Sequence, residues 1–235
     1  MTRRAGLAAI PSFDLGLVEY GRAQELQAEL QQAVANDIVQ GVLLLLEHPP
    51  VVTLGSRGTP ADVLEPHAAN GFAAALPVMR SERGGAATLH APGQLVSYPI
   101  VPVPGRDLRR FVWNLEEVLV RLLSDLGIVA ERSSGRPGLY VGAQKIASVG
   151  LRCRRWVASH GTSLNVSNDL RLFDAIVACG DAALRQTSVA ALIGSAPDMP
   201  TVKEAYAEHF ALVFQRTLLP PEPATPQDVI RWATG

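Results

Sequence analysis

A chain of 235 residues with 48% hydrophobic and 18% charged side chains has the balance of a folded globular protein, long enough for one large domain with a substantial core. Its net charge of −1 excludes the basic excess of a dedicated nucleic-acid binder, and apolar runs such as residues 42–46 are far too short to span a bilayer. Arg3 and Arg4, a few apolar residues and then Pro11, Ser12 and Asp14 make a poor signal peptide, so the expected location is cytoplasmic, with Cys153 and Cys179 as free thiols.

Ala23, Leu26, Leu30, Ala33 and Val34 recur at helical spacing and predict an amphipathic helix over 21–37. Val42 to Leu46 reads as a buried strand stopped by His48-Pro49-Pro50, and Leu76 to Arg80 as another strand. A glycine-rich loop over 83–94 leads into a strand from Leu95 to Val103. Asp107 is the expected N-cap of a long helix carrying Val112, Leu115, Val118, Leu119, Leu122 and Leu126, which Gly127 stops. Short apolar stretches from Ile128 to Val166 predict consecutive strands. Thr201 with Glu204 has the pattern of a capping box opening a last helix through Phe214, and the proline-rich segment after 217 is expected to pack as an irregular tail. Strands and helices mix without regular alternation, so the expected fold is a single α/β (α+β) domain.

Few residues carry reactive chemistry. A free cysteine is most often a small buried hydrophobe, but Cys179 precedes Gly180, whose backbone permits close approach of a ligand and whose N–H is a candidate oxyanion donor. Thr187 and Ser188 follow shortly after. Lys145 and Lys203 are the only lysines. Lys145 sits among small residues in 142–150, where a half-buried ammonium is costly without a partner or a task. The loop from Arg83 to Gln94 fits neither common phosphate-binding glycine pattern, yet loops so punctuated by Gly and Pro tend to be functional. His90 within it is equally open as a structural or a ligand-contacting residue. Residues 160–166 read as a turn into a strand, with Ser163 and Asn165 bonding the local backbone. Arg152, Arg154 and Arg155 are expected on a solvated edge and Cys153 as filler; no Cys/His spacing suggests zinc.

In order along the chain, these segments resemble the lipoyl(octanoyl) transferase family. That family's R-G-G-x-x-T-Y-H-G-P-G-Q stands here as residues 83–94, its K-I-A-x-[IL]-G as Lys145 to Gly150, and its S-H-G-x-x-L-N-V as Ser159 to Val166. A C-G pair followed by T-S appears as Cys179-Gly180 and Thr187-Ser188, and E-H-x-P as Glu47 to Pro50. The matches are collinear from about residue 41 to 192. Departures are Leu89 for the loop tyrosine, Ala91 for the glycine after the histidine, Ala178 for a proline, and Asp181 for an apolar residue after Cys-Gly.

The resemblance implies one catalytic domain over 1–235, its mixed sheet packed by helices as in the biotin and lipoate ligases, with 217–235 as its tail. It implies transfer of an octanoyl group from octanoyl-acyl carrier protein to a lysine, as the first step of endogenous protein lipoylation. The acceptors would be lipoyl domains of 2-oxo acid dehydrogenase complexes and the glycine cleavage H protein. Cys179 would carry the acyl group as a thioester, with Lys145 as its charge partner and proton acceptor. Arg83, Gly84, Gly85, Ala86, Ala87, Thr88, Leu89 and His90 would line the substrate site with Ser148, Val149, Gly150, Gly161, Thr162 and Ser163. His160, Thr187 and Ser188 would support them from behind. No metal, organic cofactor, nucleic acid or membrane is implied. Two rivals share the expected fold: an ATP-dependent lipoate or biotin ligase, which needs an adenylate-binding motif and has no use for Cys179, and a non-catalytic lipoyl-domain-binding module, against which the Cys179–Lys145 pair speaks.

Overall fold

A computed structural model describes residues 9–64, 76–178, 180–181 and 183–234. In chain order the elements are β1 (Ile10–Leu17), α1 (Tyr20–Ala35), β2 (Val42–Glu47), β3 (Val51–Leu54), β4 (Val78–Arg80), β5 (Ala87–His90), β6 (Gln94–Ile100), α2 (Leu108–Asp125) and β7 (Glu131–Arg132). There follow β8 (Gly138–Val141), β9 (Gln144–Arg154), β10 (Val157–Asn165), β11 (Arg185–Gln186), α3 (Val189–Ile193), α4 (Met199–Phe214), β12 (Leu218–Pro223) and α5 (Pro226–Thr234).

The uninterrupted apolar run of β2 has a simple cause. Its strand lies inside a sheet of order β12-β1-β2-β6-β10-β9-β8-β7, with β11 beside β9, and both faces of that sheet are covered. Leu43 and Leu45 point into a core built with α2 and α4, around Phe111, Leu115, Leu119, Tyr206 and Phe210. Val42, Leu44 and Leu46 point into a second core with Leu26, Leu30 and Val34 of α1 and Val229 of α5. A strand apolar on alternate residues only would leave one of those cores unfilled. β12, β1 and β2 run parallel, and the remaining neighbours from β2 to β7 are antiparallel. A small second sheet, β4-β3-β5, is built from the segments that flank the glycine-rich loop. The result is the expected mixed α/β domain.

Local signals explain several boundaries. The Asp107 carboxylate accepts the Arg110 N–H at 2.9 Å and caps α2. At the other end the Ile128 N–H returns to the Leu123 carbonyl at 2.9 Å across Gly127, whose φ of +74° only glycine adopts without strain. The expected start of the last long helix is corrected. Asp198 caps α4 through the Thr201 N–H at 2.8 Å, and Pro200 presets the first turn, so Thr201 already lies inside the helix. The irregular tail is corrected too. Pro220, Pro221 and Pro223 lie on β12, an edge strand where a missing N–H is tolerated, and α5 docks Val229 and Ala233 against α1. No helix among the described residues is long and apolar enough to cross a membrane.

Two glycines face each other across β9 and β10, Gly150 opposite Gly161. A Cβ on Gly161 would stand 2.1 Å from the Ser97 carbonyl oxygen of β6 and 2.7 Å from Pro99. β10 therefore crosses β6 more closely than any side chain allows. Gly161→Ala should destabilise the fold by at least about 2 kcal/mol through backbone displacement. Gly84→Ala, whose Cβ would meet only the Leu151 carbonyl at 3.4 Å, should leave the urea midpoint nearly unchanged. Equal midpoints for the two variants would contradict the close crossing.

Candidate active site

The glycine-rich loop is held by one buried side chain and by backbone bonds, the Gly55, Ser56 and Arg57 N–H groups donating to the Ala86, Arg83 and Gly85 carbonyls at 3.1, 2.9 and 3.0 Å. Arg83 is buried, and its guanidinium donates to the Thr53 carbonyl (2.7 Å) and hydroxyl (2.9 and 3.2 Å), to the Ala86 carbonyl (3.0 Å) and to the Gly84 carbonyl (3.1 Å). The Gly84 N–H bonds the Leu151 carbonyl at 2.8 Å and lays the loop on β9. The contact needs Gly150, since a Cβ there would stand 3.0 Å from the Gly84 oxygen. Arg152 adds an ion pair to Glu82 from the same strand, so it is a half-buried strut rather than a solvated edge residue.

Loop, sheet and the start of α2 enclose a cavity of about 570 Å³, within the size range of small-molecule sites. Its walls come from residues distant in sequence: Arg83 to Thr88 and His90, Ser148 to Leu151, His160 to Ser163, Leu108 and Val112 of α2, and residues 135–137. Lys145 lies in this wall, 2% exposed. Its ammonium donates to the Pro137 carbonyl at 3.3 Å and stands 5.5 Å from the centre of the Tyr140 ring. Gly138 makes room for it, because a Cβ there would meet the Lys145 side chain at 2.8 Å. Lys203, the other lysine, is equally buried but bonds the Asp14 carboxylate at 2.5 Å and ties α4 to β1. Glu116 of α2 accepts the Gly138 N–H at 2.9 Å, and burial raises its carboxyl pKa despite the nearby charges of Arg132 and Lys145.

Five aromatic and imidazole rings form a polar but uncharged part of this site. The His48 Nδ1–H donates to the Val18 carbonyl (2.6 Å), so Nε2 accepts the Tyr98 hydroxyl (2.8 Å). Gln94 donates through Nε2 to Asn165 (2.9 Å), so its Oε1 accepts the His90 Nδ1–H (2.7 Å), leaving His90 Nε2 as an acceptor. Tyr20 stacks on His90 with ring centres 5.9 Å apart and donates to the Ser81 hydroxyl at 2.7 Å. Burial pulls His48 down to about 4 and His160 down to about 3, and holds His90 well below the ordinary imidazole range. The Nδ1 of His160 has no hydrogen-bond partner among the described residues and lies in a cavity-lining ring.

The expected site residues are mostly together. Arg83, Gly84, Gly85, Ala86, Ala87, Thr88, His90, Lys145, Ser148, Val149, Gly150, His160, Gly161, Thr162 and Ser163 all line the cavity. Leu89 is not among the lining residues. It alternates away on β5 and is fully buried in a separate cluster with Val52, Leu54 and Leu172, so its departure from the family pattern alters packing under the small sheet. Ala91 is buried in that same cluster. Thr187 and Ser188 do not line the cavity either. The Thr187 N–H bonds the Lys145 carbonyl at 2.9 Å, its own carbonyl accepts from Asn165 at 3.0 Å, and Ser188 caps α3. The candidate oxyanion donor, the Gly180 N–H, is already engaged with the Val177 carbonyl. Cys179 lies outside the described residues. Its described neighbours bracket the site: Ala178 bridges to the cavity residue Ala87, and Asp181 pairs with the cavity residue Arg136 at 2.6 Å, which lowers the Asp181 pKa. Sequence reasoning missed Tyr20, Tyr98, Leu108 and Val112, which share no local pattern. Glu47-His48 was quoted only as part of a motif, yet Glu47 accepts the Gly93 N–H at 2.7 Å and shapes the turn after His90.

The model of the lipoyl protein ligase A/B catalytic domain matches residues 19–211. A protein named octanoyltransferase from Desulfovibrio desulfuricans is 41% identical over 206 residues, 86% of either chain. Another of that name from Roseiflexus sp. is 42% identical over 207 residues, again 86% of either chain. Among solved structures, a lipoate-protein ligase A bound with ATP superposes with a TM-score of 0.71 at 16% identity, covering 96% of this chain and 94% of that one. A biotin protein ligase from Aquifex aeolicus gives 0.51 at 11% identity over 88% and 70%. At those identities the structural likeness speaks for fold alone.

The buried imidazoles make a stability prediction. Above pH ~6.5 they are neutral in both states. As pH falls, the unfolded chain takes up protons that folded His48 and His160 refuse until about 4 and 3, so stability is lost across that window. Each contributes a slope of about 1.4 kcal/mol per pH unit. His160→Asn, which tolerates the local φ of +55°, should flatten the urea-midpoint curve between pH 6 and 4. Parallel curves for the two proteins would contradict the buried neutral imidazole.

Proposed function

The chain belongs to the lipoyl protein ligase A/B catalytic family and is an octanoyltransferase, and on that premise we propose that it moves octanoyl from acyl carrier protein to a lysine of lipoyl domains through Cys179 and Lys145. In this reading the whole chain acts as one catalytic domain. The ligase-like fold does not choose between transferase and ligase, because both build the same sheet around an acyl pocket. The observation that carries the choice is the placement of Lys145 beside the segment that bears Cys179, since a ligase could keep the lysine but has no use for the cysteine. Lys145 is buried in the cavity wall, and the strand that bears it is paired through Arg185 and Gln186 to the segment that follows Cys179. Ala178, on the other side of Cys179, is bridged to Ala87 in the same wall.

A thiol of ordinary pKa ≈ 8.5 is only a few per cent ionised at neutral pH. Transfer of its proton to the Lys145 amine gives a thiolate beside an ammonium, which favours the charged form of each. The Cys179 sulfur then attacks the donor thioester carbonyl. A new C–S bond forms, the donor C–S bond breaks, and the carrier thiolate leaves with the proton returned from Lys145. This exchange of one thioester for another is nearly isoenergetic and keeps the acyl group activated. In the second half the acceptor lysine's neutral amine attacks the acyl-enzyme. The C–N bond forms, the Cys179 thiolate leaves, and the surplus amine proton passes to Lys145. Amide formation from a thioester is downhill, so no nucleotide enters. The acyl chain is accommodated by the apolar parts of the cavity, Val96, Leu108, Val112 and Val149, while His90 and His160 stay neutral and add no charge to it.

Purified protein, octanoyl-acyl carrier protein and an apo lipoyl domain should give octanoylated domain without ATP or magnesium, and free octanoate with ATP should give none. The opposite pair of outcomes would make this chain a ligase. Lys145→Arg keeps a cation but cannot accept the amine proton. It should retain more single-turnover thioester exchange than Lys145→Ala, yet fail in amide transfer. Parental turnover by Lys145→Arg would remove Lys145 from proton transfer.

A further inference from the structure

The hairpin between β9 and β10 closes in two residues, Arg155 and Trp156, with φ of +51° and +62°. Positive φ at both central residues is the turn that Asn-Gly or Asp-Gly makes without strain. An arginine and a tryptophan are poor choices there on local energetics, which points to a task for their side chains beyond closing the turn. Facing them, Gly105 and Arg106 are also left-handed, at +62° and +54°. Three of the six non-glycine residues with positive φ among the described residues therefore meet at one place on the surface. Such clustering of backbone strain is a mark of functional sites.

That place is a groove. Leu108, Cys153 and Trp156 supply its apolar surface, and Arg106, Arg109 and Arg155 its charge. Asp107 is the lone acid in the lining, and its carboxylate is engaged in capping α2. Trp156 is 44% exposed, with the Arg106 guanidinium 5.9 Å from its ring centre. Arg155 donates to the Asn36 side chain at 2.9 Å, and Arg109 is exposed. The two walls are locked together, since the Val103 N–H bonds the Trp156 carbonyl at 2.8 Å and Pro102 bridges to Val157. Leu108 lines both this groove and the catalytic cavity, so the two are neighbours along the first turn of α2.

We propose that this groove holds the phosphodiester at the root of the donor's thioester-bearing arm, while the acyl end of the arm lies in the cavity. The proposal rests on the acyl carrier protein reading above. An acyl chain on such an arm is a long neutral thread ending in one anion, and it needs an apolar slot leading to a cationic one. Cavity, Leu108 and arginine groove supply that sequence. The arginines offer charge-assisted hydrogen bonds to phosphate oxygens, and Trp156 offers a face against which the arm packs.

The test replaces the turn with the pair its backbone prefers, Arg155→Asn with Trp156→Gly, and separately makes Arg109→Ala. The donors are octanoyl-acyl carrier protein, octanoyl-phosphopantetheine and octanoyl-pantetheine, which lacks the phosphate. The turn replacement should keep or raise Tm, so lost activity cannot be read as lost folding. Both variants should lower kcat/KM about tenfold with the two phosphate-bearing donors and weaken its dependence on salt; with octanoyl-pantetheine, Arg109→Ala should leave it unchanged within about twofold, and the turn replacement, which also removes the Trp156 face, should cost clearly less than with the phosphate-bearing donors. Equal losses with all three donors, a loss with the carrier protein alone, or no loss would each overturn the phosphate subsite. Failure of the parent protein with every donor would instead overturn the acyl-transfer reading, and the subsite with it.

Discussion

Arg83 directs its N–H donors inward, to the carbonyls of Thr53, Gly84 and Ala86 and to the Thr53 hydroxyl, and pins the 83–86 turn to β3 together with the backbone bonds from Gly55, Ser56 and Arg57 to the Ala86, Arg83 and Gly85 carbonyls. Most of the site depends on that pin. The turn it shapes presents the Gly84 N–H to the Leu151 carbonyl and lies over Gly150, which makes the wall opposite Ser148 to Leu151. A buried guanidinium is costly unless its donors are met, and here backbone oxygens with fixed positions meet them. Arg83 was expected to contact substrate. It does line the cavity, but its bonds to the loop make it first a positioning residue.

The second constraint is a division of labour between two lysines in a chain that otherwise uses arginine. Lys203 meets a carboxylate and serves packing. Lys145 is equally buried but sits in a cavity wall against a carbonyl and an aromatic face. Arginine can replace a lysine that only carries charge, but it cannot give up a proton. In the proposed transfer Lys145 alternates between amine and ammonium, a task that arginine cannot perform.

What the sequence made legible was local. Asp107 and Gly127 marked the ends of α2 because capping is settled within one turn of chain, and the short apolar stretches between Ile128 and Val166 marked the strands β8 to β10. What it hid was non-local. β5 lay inside an expected loop because its partner, β3, is more than thirty residues away, and the proline-rich tail became a strand only because β1 offers a parallel edge. Tyr20, Tyr98 and Leu108 belong to the site through the fold alone. Leu89 is buried in the cluster under the small sheet, while its strand neighbours Thr88 and His90 line the cavity, a difference that motif order does not carry. Asp198 displaced Thr201 as a cap because Pro200 starts the helix earlier.

The proposed catalysis turns on whether the acyl group rests on Cys179 between donor and acceptor. The direct measurement is intact-protein mass spectrometry of the full chain mixed with octanoyl-acyl carrier protein, with no acceptor and no nucleotide, followed by peptide mapping. A gain of one octanoyl group, released by hydroxylamine, mapped to Cys179 and retained in Cys153→Ala, is the expected result. No adduct under these conditions, an adduct on Cys153, or one that forms only when ATP is added would contradict it.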